Sequence, residues 1–138
     1  SPVSELEKGK FQELIDDSST KASNTKTVVI CTGKLYYDLL QYRDSKKIND
    51  ISIVRLEQLY PLPYKQLKAL RRRYKSVKNW IWAQEEPENM GAWSHILRHL
   101  SDWDFTVVAR EASASPAVGN SKVHQRNQEK LVERVFTT

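Results

Sequence analysis

The sequence predicts an α/β domain: a three-layer, doubly wound, mainly parallel sheet of four to five strands. Three observations carry that expectation. Short apolar runs rich in β-branched and aromatic residues recur at Val28–Cys31, Ile51–Leu56, Trp80–Ala83 and Phe105–Ala109. Helical spacing fills the stretches between them. The first run, Val28-Val29-Ile30-Cys31, is continuous rather than alternating, as a strand buried on both faces requires. Strands alternating with helices of about ten residues imply right-handed crossovers and parallel neighbours.

Residues 1–26 read as a linker leading in from a preceding domain, and residues 27–138 as the domain itself. Within the linker, Leu6, Phe11, Leu14 and Ile15 suit one short helix, and the Ser-, Thr- and Asn-rich stretch from Asp16 to Lys26 reads as flexible. Gly33 ends the first strand. Leu35, Leu39 and Tyr42, with Tyr36 and Leu40 beside them, then follow helical spacing. After the second strand Pro61 and Pro63 break the chain, and Pro63 suits the first turn of a helix whose stripe is Leu67, Leu70 and Tyr74. In the third strand Trp80 and Trp82 share a face. The third helix starts near Gly91 and carries Ile96, Leu97 and Leu100. A fifth strand, antiparallel at an edge, is expected near Ser113. Leu131, Val132, Val135 and Phe136 form the buried face of a final helix.

Composition narrows the function classes. The 138 residues carry a net charge of +5, which suits an anionic metabolite or an acidic partner. The basic residues are dispersed except for Arg71-Arg72-Arg73, which closes a helix where cations favour the dipole. No aromatic-interleaved signature accompanies the triplet, so nucleic acid is not an expected partner. The single Cys31 has no partner for an internal disulfide and sits among apolar residues, the pattern of a buried, reduced thiol in an intracellular protein. No apolar run is long enough to span a membrane. The opening Ser1-Pro2 reads as the interior of a longer polypeptide.

Parallel strands place their carboxyl ends along one edge, where ligands and partner surfaces gather in open sheets. That edge collects Thr32-Gly33-Lys34, then Arg55-Leu56-Glu57-Gln58, then Gln84-Glu85-Glu86, then Arg110-Glu111. The mixed charges suit hydrogen-bonded networks or a docking surface. Gly33-Lys34 has only part of a phosphate-binding loop, lacking the glycine-rich stretch and the following Ser or Thr. His95 and His99 stand i, i+4, as zinc ligands do, but Ile96 occupies the place of a metalloprotease glutamate and no third ligand is apparent. Glu85-Glu86 admits two readings: an acid/base pair, or a structural pair receiving backbone N–H groups or arginines. The structural reading is favoured, because adjacent carboxylates on a strand point apart.

Four strings in order carry a resemblance. They are Val29-Ile30-Cys31-Thr32-Gly33-Lys34-Leu35-Tyr36-Tyr37-Asp38-Leu39; Ile53-Val54-Arg55-Leu56-Glu57-Gln58-Leu59-Tyr60-Pro61-Leu62-Pro63; Gln84-Glu85-Glu86-Pro87 with Asn89 and Gly91-Ala92-Trp93; and Ser113-Ala114-Ser115-Pro116-Ala117-Val118-Gly119 with Val123-His124-Gln125. From about Thr27 to Phe136 the chain resembles the C-terminal domain of 2-oxoglutarate dehydrogenase, the thiamine-dependent decarboxylating first component of its multienzyme complex. The resemblance implies a fold like the transketolase C-terminal domain. It also implies a homodimeric parent that decarboxylates 2-oxoglutarate on thiamine diphosphate with Mg²⁺ and succinylates the lipoyl group of the dihydrolipoyl succinyltransferase component. Compartments consistent with it are the bacterial cytoplasm and the mitochondrial matrix.

The same resemblance implies that no catalytic or cofactor-binding residue lies in this chain. The family's Gly-Asp-Gly motif with paired Asn is missing, and the activating glutamate belongs to a preceding domain. What remains is dimer packing and an effector site for acetyl-CoA or AMP, for which the matching positions are Lys10, Gln58, Lys65 and Gln66. Gln66 stands where relatives carry arginine, which implies a weak anion site. The edge and interface positions are Arg55, Glu85, Glu86, Asn89, Trp93 and Arg110, and Arg110 is expected to pair with Glu85 or Glu86. The alternatives are a 2-oxoadipate dehydrogenase domain and a free-standing nucleotide- or protein-binding module.

Overall fold

A computed structural model describes residues 12–111 and 121–138. Five strands form one sheet: β1 (Leu14–Ile15), β2 (Thr27–Cys31), β3 (Ile51–Leu56), β4 (Asn79–Pro87) and β5 (Thr106–Arg110), in the order β1-β3-β2-β4-β5. All neighbours are parallel except β1, which runs antiparallel to β3. Four helices connect or follow them: α1 (Leu35–Ser45), α2 (Tyr64–Arg73), α3 (Trp93–His99) and α4 (Ser121–Thr137).

The two faces of the sheet bury different residues. Val28, Ile30, Val54, Trp80 and Trp82 pack against Leu67 and Leu70 of α2 and Ile96 of α3. Val29, Cys31, Ile53, Ile81 and Ala83 pack against Leu35 and Leu39 of α1 and Leu131, Val132 and Val135 of α4. This is the expected three-layer arrangement, with the alternation of β4 placing both tryptophans on one face. Trp80 stands edge-on to Trp103 at 5.1 Å between centroids, a favoured aromatic geometry. From β2 the chain crosses to β3 on one side and later returns to β4 on the other. The order of connections therefore reverses between β2 and β4, and the crevice outside their carboxyl ends is the topological switch point.

The lead-in differs from expectation. Leu14 and Ile15 are not helical; they form the antiparallel edge strand, pairing with Leu56 and Arg55. The edge strand expected near Ser113 would fall outside the described residues, as do Leu6 and Phe11. The stretch expected to be flexible is tied down by Asp17, which is buried. Its Oδ2 forms an ion pair with Arg43 of α1 and accepts from the Ile53 backbone N–H at 2.9 Å. Its Oδ1 accepts from Ser19 Oγ at 2.7 Å, and Arg43 Nη2 donates to that same hydroxyl at 2.7 Å. The turn that local composition favours is present, with the Ser19 N–H donating to Asp17 Oδ1 at 2.9 Å, and the buried guanidinium of Arg43 fixes it against the sheet. The edge-strand pair is continued by Glu13, whose carbonyl accepts from the N–H groups of Glu57 at 2.8 Å and Gln58 at 3.2 Å.

Burial alone would raise the Asp17 pKa. Hydrogen bonds from Ile53, Ser19 and Arg43 outweigh it and hold the carboxyl below its usual range. A folded-state pKa below the unfolded one contributes stability that is complete above the unfolded value and is lost as pH falls through the folded one. Removing one partner of a buried pair costs about 3–5 kcal/mol. Asp17→Ala is therefore expected to lower the urea unfolding free energy by about 3 kcal/mol at neutral pH. Asp17→Asn is expected to shrink the loss of stability between about pH 5 and pH 2, as measured by urea midpoints across that range. An unchanged acid limb would remove Asp17 from the account.

Candidate functional site at the carboxyl edge

The end of β4 builds the corner next to the switch point. Trp82 and Gln84 lie on the same face two residues apart, and Gln84 is only 2 % exposed. Gln84 Oε1 accepts from Trp82 Nε1 at 2.9 Å. Its Nε2 lies within donating distance of three carbonyls, those of Glu86 at 3.1 Å, Pro87 at 2.8 Å and Met90 at 2.9 Å. One neutral amide thus shapes the whole Glu86–Met90 turn. Gly91 closes the turn at φ +66°, and a Cβ there would meet Glu86 Oε2 at 2.9 Å. The left-handed backbone favours glycine, while the exposed Glu86 side chain could swing away from a Cβ.

Glu85 and Glu86 take different surroundings. Glu86 is exposed and stands over Gly91. Glu85 is half-buried, and its Oε1 accepts from Gln128 Nε2 of α4 at 2.8 Å. The same Nε2 donates to Asp38 Oδ2 of α1 at 2.9 Å. Gln128 Oε1 accepts from Arg110 Nη2 at 2.5 Å, and Arg110 Nη1 lies 3.3 Å from His124 Nδ1. The expectation that Arg110 pairs with Glu85 or Glu86 is therefore corrected: Gln128 stands between them. A neutral amide presents one polarity to the guanidinium and the other to two carboxylates, so charges from three elements meet without direct contact. Arg110 Nε is buried and has no hydrogen-bond partner among the described residues.

The remaining edge residues also hold structure. Arg55 forms an ion pair with Glu57, donates from Nη1 to Tyr37 Oη at 3.1 Å, and lies 5.4 Å and 5.2 Å from the ring centroids of Tyr36 and Tyr37. Trp93 opens α3 half-buried against the tryptophan-rich face, and Asn89 is exposed in the turn. Cys31 is fully buried, and that burial pushes its thiol well above the ordinary range, so it is no thiolate nucleophile at neutral pH. His95 Nε2 is hydrogen-bonded to the Leu59 carbonyl at 2.8 Å, with its ring 4.2 Å from Tyr60 and 4.5 Å from His99. Among the described residues no cluster of His, Cys, Asp and Glu suits a metal ion. None of their helices is long and apolar enough to cross a membrane.

Of the effector positions, Gln58 and Gln66 converge on one neighbourhood. Gln58 Nε2 donates to the Pro61 carbonyl at 2.9 Å, across the cis Tyr60–Pro61 bond. Gln66 Nε2 donates to Glu13 Oε2 at 3.2 Å, and the Glu13 carbonyl receives the Gln58 N–H. Lys65 is exposed on the first turn of α2. Lys10 lies outside the described residues.

The family model described as 2-oxoglutarate dehydrogenase C-terminal matches residues 1–136. The chain belongs to the 2-oxoglutarate dehydrogenase C-terminal family. A 2-oxoglutarate dehydrogenase E1 component from Cupriavidus necator is 41% identical over 142 residues, covering 99% of this chain and 15% of the relative. One from Rickettsia felis is 41% identical over 135 residues, covering 91% of this chain and 14% of the relative. An oxoglutarate dehydrogenase from Buchnera aphidicola is 40% identical, covering 96% of this chain and 15% of the relative. The chain thus spans about one seventh of the relatives it matches. A split-gene transketolase, described as an inactive β4 tetramer, superposes with a TM-score of 0.58 at 13% identity, over 93% of this chain and 44% of that one. That likeness shows a transketolase-like fold, in agreement with the three-layer sheet.

Two residues of this family member escaped sequence reasoning. Gln128 lies three residues before Leu131 and seven before Val135, a polar side chain on an apolar helical stripe, and that interruption was its signal. Asp38 carried no signal, since its partner is 90 residues away. Gln84→Leu leaves the Trp82 indole and three carbonyls without their partner and is expected to destabilise by about 2–3 kcal/mol in urea titrations. Arg110→Ala removes a half-exposed contact and is expected to cost under about 1 kcal/mol in the same measurement. The reverse order would mean that Arg110, not Gln84, holds the corner.

Proposed function

We propose that this chain serves as an assembly and regulatory domain of a thiamine-dependent 2-oxoglutarate dehydrogenase first component, with residues 1–26 leading in from a preceding domain and, through Leu14–Ile15, adding the edge strand to the sheet that residues 27–138 build. The observation that carries the reading is the family match along residues 1–136, joined to relatives about 41% identical that carry that component's name. The parent enzyme decarboxylates 2-oxoglutarate and passes the succinyl group to the lipoyl arm of a dihydrolipoyl succinyltransferase, working as a homodimer in the bacterial cytoplasm or the mitochondrial matrix. The named relatives are bacterial, which favours the former.

Thiamine diphosphate and Mg²⁺ do not fit the edge of this domain. Mg²⁺ takes octahedral oxygen ligands beside a diphosphate. The half-buried carboxylates here, Asp38 and Glu85, already share the Gln128 amide, and the sequence has no Gly-Asp-Gly motif. The cofactor belongs to the preceding domains of the parent, and no catalytic step runs through this chain. The committed partners of Gln84, Glu85 and Arg110 support a scaffold that keeps the sheet edge in one shape.

The regulatory part rests on Gln58, Lys65 and Gln66, with Lys10 as a further contact. Acetyl-CoA or AMP would place a phosphate against Lys65. The Glu13 carboxylate beside Gln66 opposes that charge, which supports a weak site. The test is 2-oxoglutarate decarboxylation by the full-length parent with thiamine diphosphate and Mg²⁺, with and without acetyl-CoA. Activity is expected, rising with acetyl-CoA. Lys65→Ala in that parent is expected to raise the acetyl-CoA concentration for half-activation by about three- to tenfold. Activity without any response to acetyl-CoA would leave a scaffold alone. A parent inactive on 2-oxoglutarate would overturn the reading.

A further inference from the structure

From Gln58 to Gln84 the chain has no Asp or Glu and seven Lys or Arg, so its excess of positive charge lies on this stretch. At the entry to the stretch stands Tyr60, 70 % exposed, more than any other large apolar side chain described. An aromatic ring gains by burial, so one left in solvent has to be held there by its neighbours. The turn beneath it is closed by Gln58 Nε2 donating to the Pro61 carbonyl at 2.9 Å. One side of the ring meets the His95 ring at 4.2 Å between centroids, tilted by 40°. His95 is itself fixed, with Nε2 on the Leu59 carbonyl at 2.8 Å and its ring 4.5 Å from that of His99. A carbonyl can only accept, so Nε2 carries the proton and the ring keeps one orientation.

Tyr60 is thus braced on one side and open on the other. Lys65 follows five residues on, exposed in the first turn of α2. Five residues reach at most about 18 Å, so the ring and the ammonium share one neighbourhood.

We propose that Tyr60, braced by His95, is the platform on which the purine base of the effector stacks while Lys65 takes its phosphate. The inference rests on the effector reading given above and assigns the part of the ligand that Gln58, Lys65 and Gln66 leave open. Acetyl-CoA and AMP share a purine nucleoside besides phosphate. Stacking on an aromatic side chain is worth about five- to 150-fold in affinity for each base. A lone ring is too small for a protein partner. It covers at most about 250 Å², against about 800 Å² on each side of a stable interface. The Glu13 carboxylate beside Gln66 weakens the phosphate end, so the base carries the larger share of the affinity. Stacking does not read the edge of a base. Gln58 Nε2 is committed to Pro61 and His95 Nε2 to Leu59, so adenine and guanine are equivalent to this platform.

The test is a saturation-transfer NMR titration of the full-length parent with AMP, GMP and ribose 5-phosphate, which carries the sugar and phosphate without a base. AMP and GMP are expected to bind within about threefold of each other and about tenfold more tightly than ribose 5-phosphate, with base protons receiving more saturation than ribose protons. Tyr60→Leu is expected to weaken AMP about tenfold and to leave ribose 5-phosphate within about twofold. Tyr60→Phe keeps the ring and is expected to hold AMP within about twofold. The exposure of Tyr60 predicts that both variants fold, and their Tm checks it. If neither nucleotide binds the parent, the effector reading falls and this inference with it. If AMP binds and is weakened by Lys65→Ala but not by Tyr60→Leu, the effector reading stands and this inference alone falls. Equal loss of AMP and ribose 5-phosphate in Tyr60→Leu would make the ring structural only and overturn the proposal, as would a preference for AMP over GMP of more than about tenfold.

Discussion

The constraint on which the rest of this fold depends is the complete burial of β2. All five of its residues are buried, and it is hydrogen-bonded to a parallel strand on each side. A strand without a solvent face needs cover on both sides, and its parallel neighbours supply it, because each connection between them returns through a helix. Helices then cover both faces, and every parallel strand delivers its carboxyl end to the same edge. The chemistry of that edge follows from topology: Cys31 and Ala83 are register partners, so whatever follows each of them is brought together.

Much of this was written in local sequence. The apolar run of β2, the tryptophan alternation of β4 and the stripe of the final helix each state their burial through spacing alone. The lead-in was not legible for the same reason. Leu14–Ile15 is too short a strand to show a period. What fixes it and the segment after it is a single carboxylate, Asp17, meeting Arg43 26 residues later. Polar composition reports the absence of a core-facing stripe, but it is silent on a buried ion pair that needs none.

The candidate site divides along the same line. The motif around Gln84 stood out by its residues, and the glycine at its end was readable as a restart. The network of Arg110 was not, because opposite charges suggest direct pairing, and only the fold shows that Gln128, 43 residues beyond Glu85, occupies the space between them. Sequence named the participating charges and missed the neutral group that mediates them.

That difference separates two kinds of control at one corner. Gln84 shapes its turn with an uncharged amide, whose hydrogen bonds to backbone carbonyls involve no ion. Glu85, its immediate neighbour, belongs to a network in which one neutral amide, Gln128, joins two carboxylates to a guanidinium. Salt screens interactions between such half-exposed ions more than it does a neutral amide. At one corner the outward contour and the polar contact with α4 therefore rest on separate side chains, so a substitution in one leaves the other its own partners.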